Sequence, residues 1–209
     1  MPIVTISRQY GSGGSVLAAE VAKELGWPLL DNAFVDAVAE GAGVSPEDVA
    51  LREERVPTLT ERLLSAIALG SPEAMPTLLE ATLPLTEERL LAVTTEVIEQ
   101  AASHGPCVIV GRGSQAVLAR REDALHVFCC ATHEALIARA AERLGTDAEH
   151  ARRKVNETNN QRAQYVRGHF GRDWGAPENY HLCVNTATLG IPAAVELVVT
   201  MTRRRFPTG

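Results

Sequence analysis

The chain opens on a short apolar, β-branched run, Ile3-Val4-Thr5-Ile6, then a turn holding Gly11, Gly13 and Gly14, then Leu17, Ala18, Val21, Ala22 and Leu25 at helical spacing. The first run suits a strand buried on both faces of a parallel sheet, and the later spacing puts one apolar stripe on a helix. Gly26 stands where that helix would close in a left-handed conformation. Trp27 to Leu30, ending at Asp31, reads as a second strand. Cys107–Val110, Leu125–Cys130 and His181–Val184 read as three more, each followed by a helical pattern.

Asp31-Asn32 is positioned to cap a helix running to about residue 40, with Phe34, Val35 and Val38 on one face. Ser45-Pro46 restarts a helix, and from there to about Leu85 the text is rich in leucine and alanine and cut by Pro57, Pro72, Pro76 and Pro84. Short helices with proline corners are the expectation. Thr86-Glu87-Glu88 opens a longer helix striped by Leu90, Val93, Val97, Ile98 and Ala101, and Gly105-Pro106 stops it. Five strands alternating with helices, without hairpin turns, predict an α/β fold: a parallel five-stranded sheet with helices on both faces and right-handed crossovers. Ligands of such sheets sit beyond the carboxyl ends of the strands. That rule places the glycine turn, Asp31, Gly111-Arg112-Gly113 and Ala131-Thr132 along one rim.

Residues 133–170 change the picture. Arg139 and Arg143 lie four apart on a helix that Gly145 ends, and Asp147 can cap the next. That second helix carries Arg152, Arg153, Lys154, Arg162 and Arg167 together with Asn156, Thr158, Asn159, Asn160, Gln161 and Gln164. A helix of amides and arginines either faces a ligand or is a solvated surface, and glutamates are few there to pair the arginines.

Composition narrows the classes. The 209 residues are 45% hydrophobic and 22% charged, with net charge −6, so no global field draws nucleic acid or an anionic membrane. An anionic ligand would need arginines gathered locally. No apolar run approaches the ~20 residues that span a bilayer, and the N-terminus enters a strand instead of a leader, which points to a cytoplasmic protein. Cys107, Cys129, Cys130 and Cys183 lack C-x-x-C spacing and read as small buried thiols.

Strand, glycine turn and helix N-terminus together aim backbone N–H groups and a positive dipole end at one point, the arrangement that binds phosphate. A full phosphate loop reads G-x-x-x-x-G-K-[ST]. Here Arg8 stands at the first glycine, Gly13 at the second, Gly14 at the lysine and Ser15 at the hydroxyl. The plain alternative is a glycine turn that packs a helix on a strand. Arg8 is either the substitute cation or a structural salt-bridge partner. His169, beside Phe170 and near Asp173-Trp174, reads as lid or loop packing; Tyr10 and Tyr165 either stack on a base or pack.

Ser7-Arg8-Gln9-Tyr10-Gly11-Ser12-Gly13-Gly14-Ser15, Leu30-Asp31-Asn32, Val110-Gly111-Arg112, Thr158-Asn159-Asn160-Gln161-Arg162-Ala163-Gln164-Tyr165 and Val184-Asn185-Thr186 resemble the cytidylate kinase-like family. That group shares the nucleoside monophosphate kinase architecture and lacks the loop lysine. The resemblance implies one domain: a core over residues 1–40, 105–135 and 175–209, a helical monophosphate-binding insert over 41–104, and a lid over 136–174. It implies ATP and Mg²⁺, with Arg8, Gly11, Ser12, Gly13, Gly14 and Ser15 on the donor side and Ser15 as the metal-ligating hydroxyl. Asp31, Arg112, Arg139 and Asn159 fall on the acceptor side, and Arg143, Arg162 and Arg167 on the transferring phosphate. The implied partners are small nucleotides, CMP or dCMP above all, with neither nucleic acid nor membrane. Gly113, where the family has an aspartate, and Asn159-Asn160-Gln161, in place of its acid-and-arginine run, are departures. A nucleotide-binding module without turnover, and a kinase for a non-nucleotide acceptor, remain as alternatives.

Overall fold

The computed structural model describes residues 1–31 and 87–207. The helix expected from Asn32, the proline-cut segment and most of the expected insert lie outside the described residues. Five strands form one parallel sheet: β1 (Ile3–Arg8), β2 (Leu29–Leu30), β3 (Cys107–Val110), β4 (Ala124–Cys130) and β5 (Leu182–Asn185), in spatial order β2-β3-β1-β4-β5. β1 is central, with Ile6 opposite Val110 on one side and Val127 on the other. β2 and β3 lie to one side of β1, β4 and β5 to the other, so a crevice opens beyond its carboxyl end.

Side-chain alternation separates two cores. Val4, Ile6, Val108, Val110, Leu125, Val127 and Val184 face α1 (Gly14–Leu25) and α6 (Thr186–Arg205), packing on Leu17, Val21, Val195 and Val198. Ile3, Leu30, Ile109 and Ala124 face the other way, onto Ile98, Ala101 and Ala102 of α2 (Glu87–His104) and Leu118. Burial on both faces is what the continuous apolar strand runs demand. Gly26 and Gly145 are left-handed caps, and Asp147 accepts from the His150 N–H, as the text predicted.

Some bounds differ. β2 begins at Leu29 and β5 at Leu182, and the helix after β3, α3 (Ser114–Val117), has four residues. α6 is broken at Gly190, where backbone angles leave the helical region ahead of Pro192. Cys107 and Cys129 are buried, but Cys183 is exposed because β5 is an edge strand with a solvated face, which corrects the expectation of buried thiols throughout.

The two arginine-bearing helices are α4 (His133–Leu144) and α5 (Ala148–Phe170). They share a narrow apolar seam of Leu136, Ile137, Ala140, Ala151 and Val155. Farther along α5, Val166 packs with Phe128 and Trp174. The polar helix therefore does have a core side, confined to Ala151, Val155 and Val166. Its remaining faces are polar because one meets the loop beyond β1 and the others meet solvent.

Candidate phosphate-binding site

The loop between β1 and α1 is anchored from four directions. The Gln9 N–H donates to Cys129 O at 3.0 Å, and its side-chain Oε1 accepts from the Ala131 N–H at 3.1 Å, tying the loop to the end of β4. From α5, Asn159 Oδ1 accepts from the Tyr10 N–H at 2.8 Å, and Arg162 Nη1 donates to Arg8 O at 2.6 Å. From α4, Arg139 Nη1 reaches Ser12 O at 3.3 Å and Thr186 Oγ1 at 2.9 Å, while Nη2 donates to Thr186 O at 3.1 Å. The Thr186 hydroxyl itself donates to Ser12 O. Such anchoring fixes the backbone before any ligand arrives, which lowers the ordering cost of binding.

The glycines are needed for room. Gly11 has φ of 85°, and a Cβ there would run into the Leu136 carbonyl oxygen. A Cβ at Gly14 would collide with the Arg8 stem, 2.9 Å from its Cγ, and would lie 3.3 Å from Cys129 Cβ. Gly13 is the N-cap of α1 in a left-handed conformation, so no capping side chain competes for the first-turn N–H groups of the helix. Ser15 and Val16 are exposed at that end. Ser12 is turned inward instead, its hydroxyl donating to Gln9 O at 2.8 Å.

Beside this loop lies a cavity of about 360 Å³ lined by Ser7, Arg8, Arg112 and Gln115, by Thr158, Gln161, Arg162 and Tyr165 of α5, and by Trp174. Its described lining holds three arginines and no carboxylate. Burial pushes Arg8 down from its ordinary value to about 10, and the neighbouring charges of Arg162 and Arg112 push the same way against Asp31. Arg162 is lowered as well, by burial first and then by Arg143. Three guanidiniums in one partly buried lining concentrate positive potential in a low-dielectric wall. An anion with several acceptor oxygens is its chemical complement.

Arg112 reaches this cavity from a strained turn. Its φ of 51° makes it the one non-glycine residue with positive φ among the described residues. Such a conformation costs on the order of 1–3 kcal/mol and persists where the surroundings enforce it. Gly113 next to it has φ of 70°, and a Cβ there would strike the Phe170 ring, 2.7 Å from Cζ. Gly113 thus has a steric partner at the end of α5.

The sequence-derived candidates divide into groups. Arg8, Arg112 and Arg162 converge on the cavity, and Arg143 stands close by, its guanidinium 4.3 Å over the Tyr10 ring. Arg139 and Asn159 hold the loop backbone, so their polar groups serve the scaffold in this arrangement. Asp31 is exposed at the end of β2 and acts on Arg8 through its charge. Arg167 is not brought to the cavity: its side chain is 74% exposed and lies 3.8 Å from Asp173. Five helical residues from Arg162 amount to roughly 140° of rotation, which turns Arg167 away. Sequence reasoning missed Gln115, Thr158, Gln161 and Thr186 as parts of the site. Thr158 and Gln161 share a helix face with Arg162 and Tyr165, a spacing that could have flagged them. His169, in the last turn of α5, packs edge-on to Tyr165 and near Phe170.

No helix among the described residues is long and apolar enough to cross a membrane. The described residues contain no cluster of three or more His, Cys, Asp or Glu side chains able to hold a metal ion.

Comparison with known proteins places these observations. The profile of the cytidylate kinase-like family matches residues 3–188. A search of curated proteins finds no match. Among solved structures, an uncharacterized protein from Eubacterium ventriosum superposes with a TM-score of 0.71 at 18% identity, over 97% of this chain and 98% of that one. TT1252 from Thermus thermophilus gives 0.55 at 20% identity, over 100% and 98% of the two chains. Shikimate kinase from Bacteroides thetaiotaomicron gives 0.51 at 13% identity, over 96% and 97%. At these identities the likeness is one of fold.

Proposed function

The chain belongs to the cytidylate kinase-like family, and from that premise we propose that it transfers a phosphoryl group from ATP to a small acceptor, a nucleoside monophosphate of the CMP type. The observation that carries this reading is the cavity beside the glycine loop, with three arginines and no carboxylate in its described lining. Phosphoryl transfer asks little covalent work of a protein; it needs two phosphates held in line and their charge neutralised.

The donor side is the N-terminus of α1, where the uncapped first-turn N–H groups beyond Gly13 would receive the phosphates of ATP. Ser15, exposed in that turn, would supply the protein's hydroxyl to Mg²⁺, which ordinarily keeps waters and substrate phosphates as its other ligands. The ion, when bound, neutralises charge on the donor phosphates. The acceptor side is the cavity: Arg112 grips the acceptor's phosphate, and Arg162, bonded to Arg8 O, stands between the two sides. Arg143, stacked over Tyr10, adds charge next to Arg162, and Arg167 is left out of the proposal. A phosphate acceptor is already ionised, so no general base is required.

One charge-assisted contact contributes about 1.5–3 kcal/mol, and catalysis of this class needs about 8 kcal/mol or more, so several guanidiniums together can carry what one lysine does not. A coupled assay with ATP and a panel of monophosphates tests the reading. Turnover with at least one monophosphate, falling about ten- to a hundredfold in Arg112→Ala, is expected. Equal rates in the two proteins would remove Arg112 from the site. A second reading is a kinase for a non-nucleotide anion. It is favoured by the amide and hydroxyl groups of Gln115, Thr158 and Gln161, which among the cavity's described lining show no pattern specific to a base. Extending the panel to hydroxylated carboxylates, the class to which the substrate named for the shikimate kinases belongs, decides between them.

A further inference from the structure

The phosphate-loop pattern places a glycine where Arg8 stands and a lysine where Gly14 stands. The structure links these two departures. The Arg8 stem occupies the space that a side chain at position 14 would need, with Cβ and Cγ both against the Gly14 Cα–H direction. A lysine at 14 and an arginine at 8 are sterically exclusive. Cys129 Cβ, 3.3 Å from the same point, closes the remaining way out.

We propose that the loop cation has changed places in this chain: Arg8, entering from the end of β1 across the bare Gly14, supplies to the bound polyphosphate the positive charge that the motif's lysine supplies from the helix. The proposal rests on the phosphate-transfer reading above and names the residue that makes a lysine-less loop workable. Three observations support it. Arg8 lines the cavity together with Arg112 and Arg162, and its side chain is largely buried there instead of on an outer face. Its backbone is pinned at both ends of the group, by the strand pairing of β1 with β4 and by Arg162 Nη1 on its carbonyl. Its charge is buried, with Arg162 and Arg112 nearby and Asp31 offsetting them only in part, a cost that a bound anion would lessen. Position matters too. A cation rooted on β1 is fixed by the sheet, whereas one rooted on the first turn of α1 swings with a long side chain, and arginine's fork binds two phosphate oxygens where an ammonium acts as a point charge.

The test uses the full chain and inorganic tripolyphosphate, followed by titration calorimetry and thermal unfolding. Arg8→Met keeps the stem against Gly14 and removes the charge; tripolyphosphate affinity should fall about ten- to a hundredfold while the unfolding midpoint holds or rises. Arg8→Lys, which keeps a charge, should restore most of that loss. Gly14→Lys alone should lower the midpoint, because two side chains compete for one space. The double variant Arg8→Gly with Gly14→Lys should recover both midpoint and binding relative to Gly14→Lys. Affinity in Arg8→Met within about twofold of wild type, or a double variant no better than Gly14→Lys, overturns the exchange. A lowered midpoint with unchanged affinity in Arg8→Met would make Arg8 a structural residue and likewise overturn it. The two levels separate cleanly. Wild-type turnover that Arg8→Met leaves intact sinks the exchange and spares the kinase reading. Charge-dependent tripolyphosphate binding without turnover on any acceptor does the reverse.

Discussion

Two glycine turns sit side by side at the ends of paired parallel strands, and they solve opposite problems. The turn after β1 and the turn after β3 each end in a left-handed glycine that caps a helix, Gly13 with φ of 76° and Gly113 with φ of 70°. In the first, Gly11, Gly13 and Gly14 are pressed against Leu136, Ile191 and Arg8, so the glycines are spacers that let the backbone itself form the surface. In the second, a bulky residue accepts positive φ, and the strain aims the Arg112 side chain into the cavity. One turn offers backbone dipoles and the other a guanidinium. The difference teaches that a phosphate site at a sheet's rim can be divided between main-chain and side-chain recognition on neighbouring strands.

The sharpest way to break the comparison is to add a Cβ to the first turn. Gly11→Ala combines left-handed backbone with a clash on a carbonyl that cannot swing aside, and should cost about 2–4 kcal/mol of stability, read from the urea midpoint. Arg112→Gly should do the opposite in the second turn: phosphate affinity falls by about 1.5–3 kcal/mol in calorimetry. Stability there holds or rises by about 0.5–1 kcal/mol, as the strain and the repulsion with Arg8 disappear. A large loss of stability in that variant would show that the turn is built for packing. Gly113→Ala meets a ring that can rotate, so its cost should be nearer about 1 kcal/mol, with Phe170 displaced in chemical-shift maps.

The smallest effect appears in alkali. Arg8 titrates at about 10 when folded against an ordinary value of 12.5, so between those values the unfolded chain holds more protons and stability from this group rises with pH. Below 10 its buried charge is a constant cost. Tripolyphosphate affinity should therefore show no decline between about pH 7 and 9, where the ligand itself gains charge, and weaken as pH passes 10. A decline already under way near neutrality would assign the charge to a different group.

Much of this was legible in the text, and the limits have physical causes. Period and caps revealed the strands, the long helix from Glu87 and the breaks at Gly26 and Gly145, because each is a local property of a few residues. The fates of the arginines were less accessible. Arg139 and Arg162 are both plausible phosphate ligands by spacing, but one guanidinium is committed to Ser12 O and Thr186, partners 127 and 47 residues away. No local pattern encodes that. The Gly113–Phe170 contact and the exclusion between Arg8 and Gly14 are similar: each is a packing relation that appears as two unrelated anomalies until the backbone brings them together. Arg167 was the readable case, since helix rotation alone turns it away from Arg162.

The most direct measurement is a crystal structure with ADP and CMP bound. The account predicts phosphate oxygens within hydrogen-bonding distance of the backbone N–H groups from Gly13 to Ser15 on one side. On the other side it predicts a second phosphate held by Arg112, with Arg8 and Arg162 between the two. Nucleotide found elsewhere on the surface, or a cavity whose arginines bind no phosphate, would contradict it.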